Sequence, residues 1–214
     1  NMKDNVFFVS GIDTNVGKSY ATGYLAKTWN EQGVRTITQK FIQTGNVGMS
    51  EDIELHRKIM GTGLLPEDES GLTMPEIFTY PCSPHLAAEI DHRPIDFDKI
   101  EKATRQLSET YDAVLLEGAG GLMVPLTRDL LTIDYVVQKH YPLIFVTSGK
   151  LGSINHTLLS LEAVTRRGIR LHTVAYNLFP EEDDDIIRRD TEAYIRDLLA
   201  KEYPETHFVI VPKL

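Results

Sequence analysis

The strongest constraint on this fold is a set of short, mostly apolar runs, each closed by a glycine-bearing or polar loop. They are Val6–Val9, Ala113–Leu116, Leu143–Val146, His172–Tyr176 and Phe208–Val211. Runs of four or five residues suit strands rather than helices, and strands without apolar–polar alternation are covered on both faces. A further strand is predicted from about Val34 to Gln39, ending at Lys40. Helical patterns lie between these runs. One extends from Lys18 to Gln32, with Tyr20, Tyr24, Leu25 and Trp29 on one face and Gly33 closing it. Others start near Asp52, at Ser83-Pro84 with Ser83 as N-cap, and at Asp96, where Phe97, Ile100, Ala103, Thr104 and Leu107 share a face. Two more run from Ile154 to Arg167 and after Asp183-Asp-Asp185, whose carboxylates read as helix-start charges. Residues 41–80 are broken by glycine and proline and show only the short helix to Met60.

Strands alternating with amphipathic helices predict an α/β, doubly wound, mainly parallel sheet with helices on both faces. No linker, repeat or low-complexity stretch interrupts the chain, so residues 1–214 are expected to form a single domain. In such a sheet, ligands lie beyond the carboxyl ends of the strands. The segments there are the loop after Ser10, Lys40, Glu117 onward, Ser148 onward, and Asn177.

Chemistry is most legible in Gly11-Ile-Asp-Thr-Asn-Val-Gly-Lys-Ser19. It follows a strand and opens a helix, the context of a phosphate-binding P-loop. Its glycines let backbone N–H groups turn toward a phosphate, and the helix adds a positive dipole end. Lys18 supplies charge toward the terminal phosphates, and the Ser19 hydroxyl is positioned to ligate Mg²⁺. Five residues separate Gly11 from Gly17, one more than in the usual motif. The expected domain is therefore of the P-loop NTPase type.

Glu117 ends a buried strand and opens the glycine run Gly118-Ala-Gly-Gly121. A carboxylate there can hold Mg²⁺ from the sheet side, as the acidic residue of a P-loop enzyme does. Read alone, Asp52 is a first-turn helix acid and Lys40 a strand-end lysine reaching solvent. Gln43 and Thr44 follow Lys40 in a loop that can hydrogen-bond a substrate. The seven histidines form no paired metal-ligand spacing and read as surface or satisfied core residues.

Composition narrows the function classes. With 22 Lys and Arg against 31 Asp and Glu, the net charge is −9, which argues against a broad nucleic-acid surface. Cys82 is the only cysteine, which excludes an internal disulfide and a thiolate zinc cluster. No apolar run is long enough to span a bilayer, and no basic flank precedes an apolar stretch at the N-terminus, so the expected location is the cytoplasm.

Taken together, these motifs resemble those of the dethiobiotin synthetase family over nearly the whole chain. Gly11–Ser19 is similar to its G-T-D-T-x-V-G-K-T loop, extra residue included. Lys40-Phe-Ile-Gln-Thr-Gly45 resembles its K-P-x-x-[ST]-G segment, and Ser83-Pro-His85 its S-P-H segment. Glu117-Gly-Ala-Gly-Gly121 matches its E-G-A-G-G loop, and Lys150-Leu-Gly-Ser-Ile-Asn-His156 its K-L-G-x-I-N-H segment. Ser19 replaces a usual threonine, Phe41 a usual proline, and Leu178 a frequent aspartate.

The resemblance implies an ATP-dependent ring closure of 7,8-diaminopelargonate with CO₂. Lys18 and Lys40 would be catalytic, and Ser19, Asp52 and Glu117 would hold Mg²⁺. Thr14 and Thr44 would contact the diamine or its carbamate. Asn15, Val16, Gly17, Lys18, Ser19, Tyr20, Asp52, Glu117, Gly118, Ala119 and Gly120 would bind ATP. Asn177 would read the base, flanked by Val211, Pro212 and Lys213. The family works as a homodimer, in which Gly152, Ser153 and Asn155 would meet the substrate carboxylate. Two alternatives look less similar. The amidating enzymes of cobalamin synthesis need a glutaminase domain with a catalytic cysteine. ParA/MinD-like switches carry an early P-loop lysine where this chain has Ile12 and Asp13.

Overall fold

The computed structural model describes residues 4–179 and 182–213. The first half runs β1 (Val6–Gly11), α1 (Lys18–Glu31), β2 (Thr36–Lys40), β3 (Gln43–Thr44), α2 (Glu51–Met60), α3 (Pro66–Glu69), β4 (Ile77–Phe78), α4 (Pro84–Ile90) and α5 (Phe97–Thr110). The second half runs β5 (Ala113–Glu117), β6 (Pro125–Thr127), β7 (Leu130–Leu131), α6 (Thr132–Lys139), β8 (Leu143–Ser148), α7 (Ser153–Arg166), β9 (Leu171–Asn177), α8 (Asp185–Glu202) and β10 (His207–Val211). Six strands form one parallel sheet in the order β10-β9-β8-β1-β5-β2. Antiparallel pairing among the described residues is confined to the β6–β7 hairpin.

Alternate strand residues divide between two cores. Val6, Phe8, Val114, Leu116, Leu143, Phe145, Val174 and Tyr176 meet Ile100 and Leu107 of α5, Val136 of α6, Leu161 of α7 and Leu199 of α8. The intervening Val9, Leu115, Ile144, Val146 and Ala175 meet Ala21, Leu25 and Ala26 of α1. Helices therefore cover both faces, as the unbroken apolar runs require.

The expected α1 face is corrected. Leu25 is buried, but the rest of the buried stripe is Lys18, Ala21, Thr22, Gly23 and Ala26, while Tyr20, Tyr24 and Trp29 lie at its margins. Helix α1 is enclosed between the sheet and α2, and a Cβ at Gly23 would stand 3.1 Å from Ile59 Cδ1. Small residues are needed where two elements close on one helix. Ser83 precedes α4 as expected, but its hydroxyl pairs with His85 Nδ1 at 2.9 Å instead of capping the helix. Asp184 accepts from the N–H groups of Ile186 and Ile187, so this carboxylate does start α8. No helix among the described residues is long and apolar enough to cross a membrane.

Candidate functional site

Strand register assembles the site. Lys40 of β2 lies beside Glu117 of β5, and Glu117 lies beside Val9 of β1, two residues before Gly11. The carboxyl ends are tied together beyond the ladder, because Phe41 N–H donates to Glu117 O and Gly118 N–H to Val9 O, both at 2.9 Å. Proline could not make the first of these bonds. Phe41 instead continues the sheet contact and buries its ring against Phe8 and Tyr135.

Strand β1 passes into the phosphate loop, whose Ile12 N–H donates to Val146 O at 3.1 Å. Gly17 enters α1 at φ 83°, in left-handed space. A Cβ there would stand 2.3 Å from Asn177 Nδ2, so the loop and the end of β9 are in direct contact.

Charge gathers above Glu117. Ser19 Oγ donates to Glu117 Oε2 at 2.8 Å. Lys40 Nζ donates to the same oxygen at 3.0 Å, to Asp52 Oδ2 at 2.7 Å and to Gly118 O at 3.1 Å, which engages all three of its hydrogens. Burial pushes the Glu117 carboxyl up, but Lys40, His56 and Lys18 outweigh it and hold it well below the usual carboxylate range. Burial likewise pushes Lys40 down, but Glu117 and Asp52 overcome it and raise its pKa. Lys18 goes the other way: burial and then Lys40 lower it, against the opposing pull of Glu117, Asp52 and Asp13. A triphosphate placed beside Lys18 should restore the lost basicity. Nucleotide binding at alkaline pH is therefore expected to take up protons, read by calorimetry in buffers of different ionisation enthalpy. Binding with no uptake, or with release, contradicts this.

Two clefts meet over the loop. One of about 470 Å³ holds Thr14, Lys18, Ser19, Lys40, Asp52 and Glu117. Its neighbour of about 410 Å³ shares Thr14, Thr44, Ala119 and Gly120 and continues past Cys82 and Ser83. A phosphate cradle thus opens into a second, less charged chamber.

A family model described as an AAA domain matches residues 5–214. The chain is 52% identical over 206 residues to the ATP-dependent dethiobiotin synthetase BioD 2 of Pasteurella multocida strain Pm70, covering 96% of each. It is 56% identical over 184 residues to the protein of the same name from Haemophilus influenzae, covering 86% of this chain and 96% of that one. The chain belongs to the dethiobiotin synthetase family. Among solved structures, the signal recognition particle receptor FtsY of Elizabethkingia anophelis matches with a TM-score of 0.55 at 17% identity, across all of this chain and 59% of that one. That likeness concerns the P-loop fold alone.

For a dethiobiotin synthetase, the expected residues divide by location. Asn15, Gly17, Tyr20, Ala119 and Gly120 line the phosphate cleft together with the charged group, and Gly118 contributes its carbonyl to Lys40. Val16 is buried in the α1 core. Gly152, Ser153 and Asn155 lie at the start of α7, apart from both clefts. Gly152 and Asn155 are exposed, while Ser153 is buried with its hydroxyl 3.1 Å from that of Ser148. Val211 pairs with Asn177 at the strand ends, with Pro212 and Lys213 following. Asn177 is fully buried. Its amide donates to Val16 O at 3.1 Å and Gly17 O at 3.3 Å and accepts from Phe179 N–H at 3.1 Å, so its side chain braces the loop from below.

Residues that sequence reasoning passed over stand directly behind Glu117. His56 Nε2 is 2.8 Å from Glu117 Oε1, and His56 Nδ1 is 2.7 Å from Thr38 Oγ1. The available signal was spacing: Asp52 and His56 are four apart on α2 and so share a face. Phe179 was also missed. It lines the phosphate cleft, with its ring centroid 5.9 Å from that of Tyr20.

Proposed function

We propose that this chain is the ATP-dependent ligase that closes 7,8-diaminopelargonate with CO₂ into dethiobiotin, releasing ADP and phosphate, a step of biotin biosynthesis in the cytoplasm. The observation that carries the reading is the convergence of Lys18, Ser19, Lys40, Asp52 and Glu117 at the mouth of a second chamber, in a chain about half identical to named dethiobiotin synthetases. One amine of the diamine captures CO₂ and loses a proton, forming a carbamate. A carbamate oxygen attacks the γ-phosphorus and ADP departs, leaving a carbamic-phosphoric anhydride. The second amine attacks the anhydride carbonyl and expels phosphate, which closes the cyclic urea.

The phosphoryl transfer brings two anions, carbamate and triphosphate, together, and the residues suit that task. Lys18 meets the terminal phosphates, and Lys40 offsets the approach of carbamate to triphosphate. Thr14 and Thr44, at the junction of the clefts, hydrogen-bond the carbamate or diamine. Asn15, Gly17, Tyr20, Ala119 and Gly120 wrap the nucleotide. Its base lies toward Asn177, Val211, Pro212 and Lys213.

The donor set fits Mg²⁺. Ser19 and Glu117 are hard oxygen donors 2.8 Å apart, Asp52 joins the same cluster through Lys40, and Mg²⁺ takes one or two carboxylates plus phosphate and water oxygens. When bound, the ion would neutralise phosphate charge.

The active unit is proposed to be a homodimer, with the substrate carboxylate tail meeting Gly152, Ser153 and Asn155 of the second copy. Backbone N–H groups at a helix start suit a carboxylate. Exposed Met123, Leu151 and Leu159, at 48%, 78% and 59%, support an interface beside that segment. Leu159→Glu is expected to shift the protein to monomers in sedimentation. A monomeric parent contradicts the dimer.

The reaction is tested by supplying ATP, Mg²⁺, bicarbonate and 7,8-diaminopelargonate and measuring dethiobiotin. ATP hydrolysis that ignores the diamine, with no product, overturns the reading.

A further inference from the structure

Behind Glu117 runs a buried chain of hydrogen bonds that the reaction chemistry does not use. Arg57 donates through Nε and Nη2 to the two oxygens of Asp68, each at 2.8 Å. It also donates through Nη1 to Thr38 Oγ1 at 2.7 Å and through Nη2 to Thr38 O at 3.1 Å. Thr38 meets His56, and His56 meets Glu117. Thr38, His56, Arg57, Asp68 and Glu117 are all buried.

Donor chemistry gives this chain a direction. A guanidinium only donates, so Thr38 Oγ1 accepts from Arg57. An ionised carboxylate only accepts, so His56 Nε2 carries the hydrogen toward Glu117. The Thr38 hydroxyl has one hydrogen left, and His56 Nδ1 stands 2.7 Å away. A hydrogen on Nε2 toward Glu117, with Nδ1 accepting from the Thr38 hydroxyl, therefore satisfies every member. The two oxygens of Glu117 have different partners. Among the described residues, Oε1 faces His56, while Oε2 faces Ser19 and Lys40.

We propose that His56 is a positioning residue: it holds Oε1 of Glu117, and thereby turns Oε2 toward the Mg²⁺–nucleotide side of the cleft. The inference rests on the metal role proposed for Glu117. A leucine would pack in the same space, but it would leave Oε1 buried without a donor. Partners that orient a metal ligand typically change metal affinity or activity by about 10- to 100-fold when removed.

Two substitutions separate positioning from packing. The His56→Gln amide can reach toward Glu117 as Nε2 does, whereas His56→Asn reaches only toward Thr38. The main readout is the Mg²⁺ concentration needed for tight ADP binding by calorimetry, which requires no ring closure. His56→Asn should raise that requirement roughly tenfold or more, and lower kcat with little change in the KM for diamine. His56→Gln should stay within about threefold of the parent on both. Equal shifts in the two variants, or no shift in either, overturn the proposal. Should His56→Asn fail to fold, His56→Leu carries the test: it fills the space and removes the donor to Oε1, and an unchanged Mg²⁺ requirement overturns the proposal. Nitrogen NMR of the ligand-free enzyme should show His56 protonated on Nε2, and an Nδ1–H ring contradicts the directed chain. A parent that binds Mg²⁺ and ADP but makes no dethiobiotin would refute the proposed reaction while leaving this test intact.

Discussion

Replacing Lys40 with methionine is expected to lower the rate of ring closure by about a hundredfold or more, the scale of losing one fixed charge-stabilising group at a reacting centre. Lys40 Nζ bridges Asp52 and Glu117, at 2.7 Å from one carboxylate and 3.0 Å from the other. Methionine keeps most of the length and removes the cation, so two carboxylates face each other in a buried site. Stability should therefore fall as well, by on the order of 3 kcal/mol, the range for breaking a buried pair. Because the folded pKa of Lys40 is raised, its contribution is complete below the ordinary value of 10.5 and is lost only as pH rises through the higher folded value. The deficit of the variant should thus be flat across neutral pH. Mg²⁺ should return part of it, since a second cation can separate the same carboxylates. Urea melts with and without Mg²⁺ check the stability, and turnover of the folded variant checks the chemistry. Full turnover would remove Lys40 from the mechanism.

Glu117→Gln should be comparably damaging for a different reason. Glu117 accepts from Ser19, Lys40 and His56 at once. A glutamine amide presents two hydrogens to groups that already donate, so at least one of the three contacts becomes donor against donor. A rate loss of about a hundredfold or more is expected, together with destabilisation on the order of 3 kcal/mol. The folded pKa of Glu117 lies below the ordinary 4.5. Its stabilising contribution is therefore complete above about 4.5 and is lost as pH falls through the folded value. The stability gap between parent and variant should narrow in strong acid. A gap that does not change with pH would show that the charge of Glu117 is not what holds the cluster.

Several elements were legible in the chain because each carried its own signal. The strand runs lack alternation, and both cores follow from that. Phe97, Ile100, Ala103, Thr104 and Leu107 mark the buried face of α5, and Asp96 caps it by accepting from Lys99 N–H. Glycine spacing, with the strand before and helix after, marks the phosphate loop. Other elements left no such trace. Two residues of β3 or β4 are too few to show a period. Helix α6 spans only eight residues, and it is started by Asp134 accepting from Leu131 N–H, three residues back. The face of α1 was misjudged because large side chains dominate a pattern, whereas a helix enclosed on two sides buries its small ones.

The site divides in the same way. Lys18, Ser19, Lys40 and Glu117 sit at strand ends or on the loop, where topology alone brings them together. Asp52 needed the Lys40 contact to rise above a helix-start acid. His56 looked like an isolated histidine because its partners lie 18 and 61 residues away. The loop-bracing bonds of Asn177 span 160 residues or more, and no local pattern carries them.

Oxygen tracing tests the central claim most directly. With bicarbonate labelled at carbon with ¹³C and at all oxygens with ¹⁸O, ring closure through a carbamic-phosphoric anhydride predicts dethiobiotin with ¹³C in its ring carbonyl. One ¹⁸O should pass into each phosphate released, because the bridging oxygen of the anhydride leaves with phosphorus. Phosphate free of label, or formed at the same rate without the diamine, would contradict the account.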